Sequence, residues 1–541
     1  MSDITVFAAR KIITMDPNQP EATHVAVRDG YILAVGDAEC ADPWGGGTLN
    51  NELADKVLMP GFVEGHAHMM AGAIWDYTYV GYHDRTDPEG QHWSGLDTLD
   101  AVVERLTEAD SKLPKGKPLV GWGLDPIFLS DERLSRRHLD AVSADRPIMV
   151  MFSNFHLLCA NSAALDLVGY GAHTNVEGVV MGADGEPTGE LQEMAAMFPV
   201  MRRLGVDFRA LSLREDAVRS YAKVCQRVGV TTATDLFSTI EESDIGLLHR
   251  ITADRDFPLR LVPALGTTEA PEANAAKALA LREQSTEKLR LGAIKLMTDG
   301  SIQGWTARVR WPGYIGGQPN GIWNTAPDMI HALCLEMQRA GLPMHIHVNG
   351  DEASEVVMDA LAEAKAAHPR PGLRHVLQHA QMMDAPQFAR ARELDLCVNL
   401  FANHIWYFGD QHVAQTIGPD RAASMDGCRA ALDAGVNLAI HSDAPVTPMG
   451  PLFTAWCAVN RQTMSGQTLG AAQRLSVQEA LYAITLGAAF TLGMDHEIGS
   501  IETRKRADFA VLGADPTQTT PETLCDIPVH GTVLGGTVHL L

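Results

Sequence analysis

The sequence predicts an α/β chain: a (β/α)8 TIM-like barrel, a small β-sandwich built from both chain ends, and an insertion after the first barrel strand. Three observations predict it. Apolar runs ending in a polar cluster recur eight times, helical stretches fall between most of them, and both ends of the chain alternate apolar and polar residues. A parallel strand buried on both faces reads as a continuous apolar run, and in a βα barrel a helix follows each strand.

The eight runs are residues 57–68, 230–235, 259–265, 292–300, 343–350, 374–380, 396–404 and 437–443. A helical segment closing on glycine before a strand recurs in RVGVTTATD, RAGLPMHIH and DAGVNLAIH. Glycine there suits a helix C-cap. At the N-terminus, ITVFAARKIITMD and HVAVRDGYILAVGD contain a hairpin turning at Arg28-Asp29-Gly30. At the C-terminus, ADFAVLGADP and VHGTVLGGTVHLL repeat the pattern. Neither end is long enough to bury a sheet face alone, so the two are expected to pair. The expected division is a β-sandwich from 1–57 plus 496–541, a catalytic barrel from 58–69 plus 212–495, and an insertion at 70–211. The insertion is too long for one crossover and carries its own strand-like runs, PLVGWGLD and PIMVMFSNF. It is expected to shape the substrate pocket.

Composition excludes several classes. The chain has 541 residues, 46% of them hydrophobic, as in ordinary globular proteins. Its 48 glycines and 28 prolines are too few for a low-complexity or collagenous chain. Eight cysteines without a Cys-x-x-Cys pair argue against a disulfide scaffold and suit a reducing compartment. A net charge of −24 repels phosphate backbones and anionic membranes, so neither nucleic acid nor membrane is expected as a partner. The start has no basic segment followed by a long apolar stretch, and no run reaches ~18 apolar residues. The expectation is a soluble cytoplasmic protein.

Chemistry-bearing residues stand at the C-terminal ends of the candidate strands, where barrel enzymes place their sites. His66 and His68 end strand one. Residues i and i+2 of a strand share a face, so both imidazoles are expected to point into the barrel mouth, where a divalent metal would offset their burial. Lys295 follows on strand four, His347 on strand five, His379 on strand six and Asp443 on strand eight. A buried lysine is rare unless paired or modified. Its plain reading is a salt bridge to Asp299 or a neighbour. As an ammonium it has no lone pair for a metal, whereas a carbamate would make it a carboxylate ligand.

The segments MPGFVEGHAH, GAIKLMTDGS, HVNGDEA, LQHAQ, HSDAPV and IGSIETRKRADFAVLGADP, with FHLLCANSAAL and GEPTGELQE in the insertion, resemble the amidohydrolase superfamily. Within it the chain is similar to the amidohydrolase-3 group, which includes YtcJ-like proteins and N-substituted formamide deformylases. The resemblance spans essentially the whole chain. It implies a metal-dependent hydrolase barrel in which His66, His68, Lys295, His347, His379 and Asp443 are metal ligands. It also implies that Lys295 is carbamylated and bridges two divalent ions per chain, usually zinc. The group often has Asp where Glu64 stands and an acid where Gln378 stands.

Two such ions lower the pKa of a bridging water and polarise a carbonyl. Asp443 is then placed to accept the water's proton and deliver it to the leaving amine. His156, in the insertion, and His404, at strand seven, are the candidates for oxyanion stabilisation. The expected reaction is hydrolysis of a C–N amide-type bond in a small N-acyl or N-formyl amine, a non-peptide substrate. The alternatives are a cyclic-amide hydrolase or heterocycle deaminase on the same barrel, and a catalytically dead scaffold. Lys295 disfavours a mononuclear deaminase, and six competent ligand positions disfavour a dead scaffold.

Other polar residues have plainer readings. His345, His375 and His441 are expected to be hydrogen-bonded core or supports of the ligands, with His345 the alternative to His347 as ligand. Asp299 reads as a turn residue. Trp122, Trp305, Trp406 and Tyr407 could line an apolar pocket or simply be core. Asn161 is a candidate for holding the insertion against the site. The base-rate oligomeric expectation is a homodimer.

Overall fold

A computed structural model describes residues 3–129 and 132–541. Eight parallel strands follow one another in chain order around a single curled sheet: Phe62–Glu64, Val230–Ser238, Arg260–Gly266, Ala293–Met297, Met344–Val348, His375–His379, Leu396–Leu400 and Asn437–Ile440. These are barrel strands one to eight. Strands one and eight share no strand pairing, but backbone hydrogen bonds join the loops after them. Asp443 N–H donates to His66 O at 3.1 Å and His68 N–H to Ala444 O at 2.8 Å. The architecture is the TIM-like α/β fold that the sequence predicts.

The strands are buried on both faces, which is why they read as unbroken apolar runs. The helices between them bury one face only. In Glu215–Arg227, Ala217, Val218, Tyr221, Ala222 and Cys225 turn inward at helical spacing, and Gly229 follows at φ 80°. Gly341 caps Pro327–Ala340 in the left-handed conformation, its N–H donating to the Met337 and Gln338 carbonyls.

The run 57–68 is not one strand. Val57–Pro60 pairs antiparallel with Phe509–Leu512, outside the barrel. The barrel strand begins only at Phe62 and ends at Glu64, so His66 and His68 lie beyond it. Pro60 lacks an N–H to continue the ladder. Gly61 is required at the junction because a Cβ there would overlap the Thr231 side chain.

Both chain ends build one eight-stranded sheet. Its order is Thr537–Leu540, Val529–Leu534, Phe509–Leu512, Val57–Pro60, Thr5–Ile13, Glu21–Arg28 and Tyr31–Gly36, with Thr48–Asn50 beside Thr5–Ile13. Between barrel strands one and two lies a six-stranded sheet: Val179–Met181, Pro187–Gln192, Leu157–Ala160, Ile148–Phe152, Leu119–Leu124 and Thr78–Tyr79. Asn161 belongs wholly to this unit. Its side chain accepts from Ile148 N–H and Ala164 N–H and donates to the Ser143 and Arg146 carbonyls. It therefore ties the insertion together internally and does not brace it against the site. That bracing comes from Asn154, whose amide donates to Ser301 Oγ at 3.0 Å. Among the described residues, no helix is long and apolar enough to cross a membrane. All eight cysteines are free.

Candidate metal centre

Loops at the C-terminal mouth of the barrel bring the sequence-selected residues together. Asp443 is the focus. Its Oδ1 lies 3.1 Å from His68 Nε2 and 3.4 Å from His66 Nε2, and its Oδ2 lies 3.8 Å from His379 Nδ1. The His379 ring stands 4.4 Å from the His66 ring and 4.7 Å from that of His347. His347 is turned sideways, its Nε2 3.2 Å from Gly300 O and 3.5 Å from Asp299 Oδ1. His347 and Lys295 border the same cavity, of about 150 Å³, as His66, His68, His379 and Asp443.

The backbone at this mouth is strained. His379 (φ 64°), Ala380 (φ 49°) and Asp443 (φ 53°) all occupy the left-handed region. Such residues cost of order 1–3 kcal/mol each and persist where the surroundings over-determine them. Here Glu64 is one such constraint. Its buried carboxyl accepts from Ser442 Oγ at 2.8 Å and from the N–H groups of Ser442 and His66, linking the ends of strands one and eight. Burial raises the Glu64 carboxyl to about 8.

Burial holds His66, His347 and His379 far below the usual imidazole range, so these rings are neutral and carry a lone pair. Burial opposes ionisation of Asp443, yet the hydrogen bond from His68 and the field of His68, His441 and Lys295 bring it below an ordinary carboxylate. Burial alone draws the Lys295 amine down to about 7. Lys295 Nζ makes no hydrogen bond, so the expected plain reading, a salt bridge to Asp299, does not occur. Asp299 instead accepts from the N–H groups of Arg308, Asn349 and Gly350, which makes it a loop organiser.

Neutral imidazoles, an ionised carboxylate and an orphaned lysine amine form a donor set that fits divalent metal ions. His66, His68 and Asp443 offer ligand atoms within 4.8 Å of one another, and so do His66, His379 and His441. His441 departs from expectation. His345 and His375 are hydrogen-bonded, to Gln378 Nε2 and Gln338 Oε1 respectively. Among the described residues, neither ring nitrogen of His441 has a hydrogen-bond partner, and the ring is stacked between His66 at 4.7 Å and Phe401 at 4.8 Å.

His156 and His404 both border the cavity. The Glu193 carboxylate meets His156 Nδ1 at 2.8 Å and also accepts from the Asn324 amide at 2.7 Å. Burial works against a charged His156 ring, and Glu193 outweighs it, raising the ring above its ordinary range. Sequence reasoning missed Glu193. Its left-handed backbone (φ 62°) and its N–H bond to His156 O fix the pair. His404 lies not on strand seven but on the helix Asn403–Gln411. Its Nδ1 is 3.0 Å from His412 Nε2, and His412 Nδ1 is 2.8 Å from Thr416 Oγ1.

The aromatic lining also differs from expectation. Trp122 packs inside the insertion beside Trp75 and Tyr79. Trp406 and Tyr407 cluster with His83 and Phe453, and Trp305 lies under Arg133. The cavity is instead walled by phenylalanines 155, 198, 208, 237 and 401 and by methionines 70, 194, 197 and 297.

Residues 52–539 match the family model described as the amidohydrolase family. The chain belongs to the amidohydrolase family. It is 27% identical over 551 residues to the YtcJ protein of Bacillus subtilis (strain 168), covering 97% of each chain. It is also 27% identical over 569 residues to an N-substituted formamide deformylase of Arthrobacter pascens, covering 100% of this chain and 98% of that one. The fold is similar to that of an uncharacterised metal-dependent hydrolase from Pyrococcus horikoshii OT3. The TM-score is 0.73 at 20% identity, covering 96% of this chain and 99% of that one. The family inferred from the sequence motifs is thus the one the comparisons give.

Proposed function

We propose that this amidohydrolase cleaves the C–N bond of a small, non-peptide N-acyl or N-formyl amine. The observation that carries the reading is the convergence of His66, His68 and His379 on Asp443 in one cavity with the unpaired amine of Lys295. Similarity along the full length to a formamide deformylase supports the bond type.

In this reading His66, His68, Lys295, His347, His379 and Asp443 hold two divalent ions, zinc being the ordinary choice for such ligands. When bound, the ions supply Lewis acidity toward the scissile carbonyl and toward a water. Lys295, brought down to about 7 by burial, is in part uncharged near neutrality and in that form has a free lone pair for carbon dioxide. Its nitrogen forms the new bond, one proton leaves, and the resulting carbamate presents two oxygens. Asp443 takes the proton of the attacking water and passes it to the departing nitrogen. His156, held at Nδ1 by Glu193, borders the cavity and is the first candidate to stabilise the oxygen that gains charge, and His404 is the second. The apolar walls limit water around the reacting atoms.

Metal analysis of freshly purified protein, run beside a screen of N-formyl and N-acyl amines for released amine, tests the reading. About two ions per chain with amine release is the expected result. About one ion, with ammonia released from a heterocycle or with ring opening of a cyclic amide, would replace it with the deaminase or cyclic-amide reading. No metal and no gain on adding it would leave a scaffold without activity.

A further inference from the structure

One wall of the cavity carries a cation that the chemistry above does not use. Arg209 lies on the short helix Phe208–Ser212, at the end of the cavity formed by the insertion. Its guanidinium sits over the ring of Phe237 at 4.2 Å and that of Phe198 at 5.3 Å. Among the described residues it has neither a hydrogen-bond nor an ion-pair partner, and it is the only arginine lining the cavity. Cation–π contact offsets part of the cost of withdrawing a guanidinium from water but leaves its N–H edge unmet.

The surroundings fix this group in place. Phe237 has a left-handed backbone (φ 88°), and its ring packs where a side chain on Gly266 would have to lie. Asp207 caps the helix through one oxygen, which accepts from Arg209 N–H and Ala210 N–H, and it acts on the guanidinium through its field without a hydrogen bond or ion pair. Asp235 is engaged by Met69 N–H at 3.0 Å. A second apolar recess, of about 390 Å³, shares Met70, Phe155, Met197, Phe198, Phe208 and Arg209 with the first. Arg209 therefore stands where two apolar compartments meet.

We propose that Arg209 receives a carboxylate of the substrate, so that the amide cleaved carries an apolar group and, beyond it, a single negative charge. This rests on the hydrolase reading above for the bond cleaved, but not for the binding itself. A planar guanidinium takes a carboxylate through two parallel N–H···O bonds. The two acids nearby disfavour a doubly charged phosphate at the same place.

The test is calorimetric binding to the metal-loaded protein of 3-phenylpropionate, its neutral amide and phenethyl phosphate. The same titrations are made on Arg209→Leu and Arg209→Lys, with circular dichroism to check folding. Wild type should bind the carboxylate about 10–100-fold more tightly than the amide, as expected for a charged hydrogen-bonded pair. It should also bind the carboxylate more tightly than the phosphate. Arg209→Leu should lose that preference, and Arg209→Lys should keep part of it. A carboxylate preference that survives in Arg209→Leu would place the anion on the metal ions and overturn the proposal, as would equal binding of acid and amide by wild type. Tighter binding of the phosphate would overturn the carboxylate assignment. Failure of all amides to turn over, with the Arg209-dependent preference intact, would instead count against the hydrolytic reading.

Discussion

The ring N–H of His66 at Nδ1 donates to the side-chain oxygen of Gln378 at 2.8 Å. The same oxygen accepts from the Asn399 amide at 3.0 Å, and the Gln378 nitrogen donates to His345 Nδ1 at 2.8 Å. These partners assign the amide orientation and with it the His66 tautomer: Nδ1 is protonated, and Nε2, toward Asp443, carries the lone pair. An acid here would orient His66 equally well but could not donate to His345 when ionised.

Replacing Gln378 by Leu should therefore weaken metal binding about 10–100-fold, the usual cost of removing a group that orients a ligand histidine. Competition against a chelator measures this. Gln378→Glu should retain most of the affinity, since it still accepts from His66. Unchanged affinity in Gln378→Leu would mean that His66 is not a ligand.

Lys295→Ala should lower metal content from about two ions toward one or none. The orphaned Nζ is the only feature that makes the lysine fit among buried imidazoles. Short carboxylic acids entering the space it leaves should restore part of both metal content and turnover. Full metal content without rescue would remove Lys295 from the site.

Asp443→Asn should leave circular dichroism unchanged and reduce turnover by about 10²–10⁴-fold, the range for losing a positioned acid–base group. The amide cannot take the water's proton, and it also lacks the negative charge toward which His66, His68 and His379 converge.

His156→Ala should lower kcat about 10²–10³-fold with a small change in KM, as for removal of an oxyanion donor. Glu193→Gln should lose less, because it still accepts from His156 Nδ1 but no longer favours a charged ring. Equal losses in binding and turnover would assign the pair to wall structure instead.

The barrel was legible because its strands are buried on both faces, and several of them carry or lead into a polar group that would be costly there without a function. That logic singled out Lys295, His347 and His379 on strands four to six, and Asp443 three residues past strand eight. It failed where local geometry decides. The run from Val57 to Val63 has no polar residue, so it reads as one continuous strand despite its change of sheet at Pro60-Gly61. His66 and His68 both approach Asp443 although they lie past the strand, so the strand-face argument expected their convergence from the wrong geometry. Residue type left Trp122, Trp305, Trp406 and Tyr407 open between pocket lining and core; the cavity took phenylalanine and methionine, largely from helices of the insertion that composition does not place. Glu193 and Arg209 carry no local signal, since one depends on a left-handed backbone and the other on what fails to pair with it.

Away from the metal centre, Asp125 gives a pH test of the insertion. It is fully buried, accepts from Ser153 Oγ at 2.8 Å and from Ile127 N–H at 3.2 Å, and is raised by burial from 3.8 to about 7. The folded state therefore holds this proton over a range where the unfolded chain has released it. Stability falls as pH rises from about 4 to about 7 and levels off above, because the slope follows the difference in protons bound. Asn in its place still accepts from Ile127 N–H through its oxygen, can donate to Ser153 Oγ through its amide nitrogen, and never ionises. Asp125→Asn should thus have little effect on the melting temperature near pH 4.5 and raise it by several degrees at pH 8, where the removed penalty is of order 2–4 kcal/mol. A melting-temperature difference between variant and wild type that is flat from pH 4.5 to 8 would show that Asp125 is ionised in the folded protein throughout, with water or Arg133 supplying what burial removes.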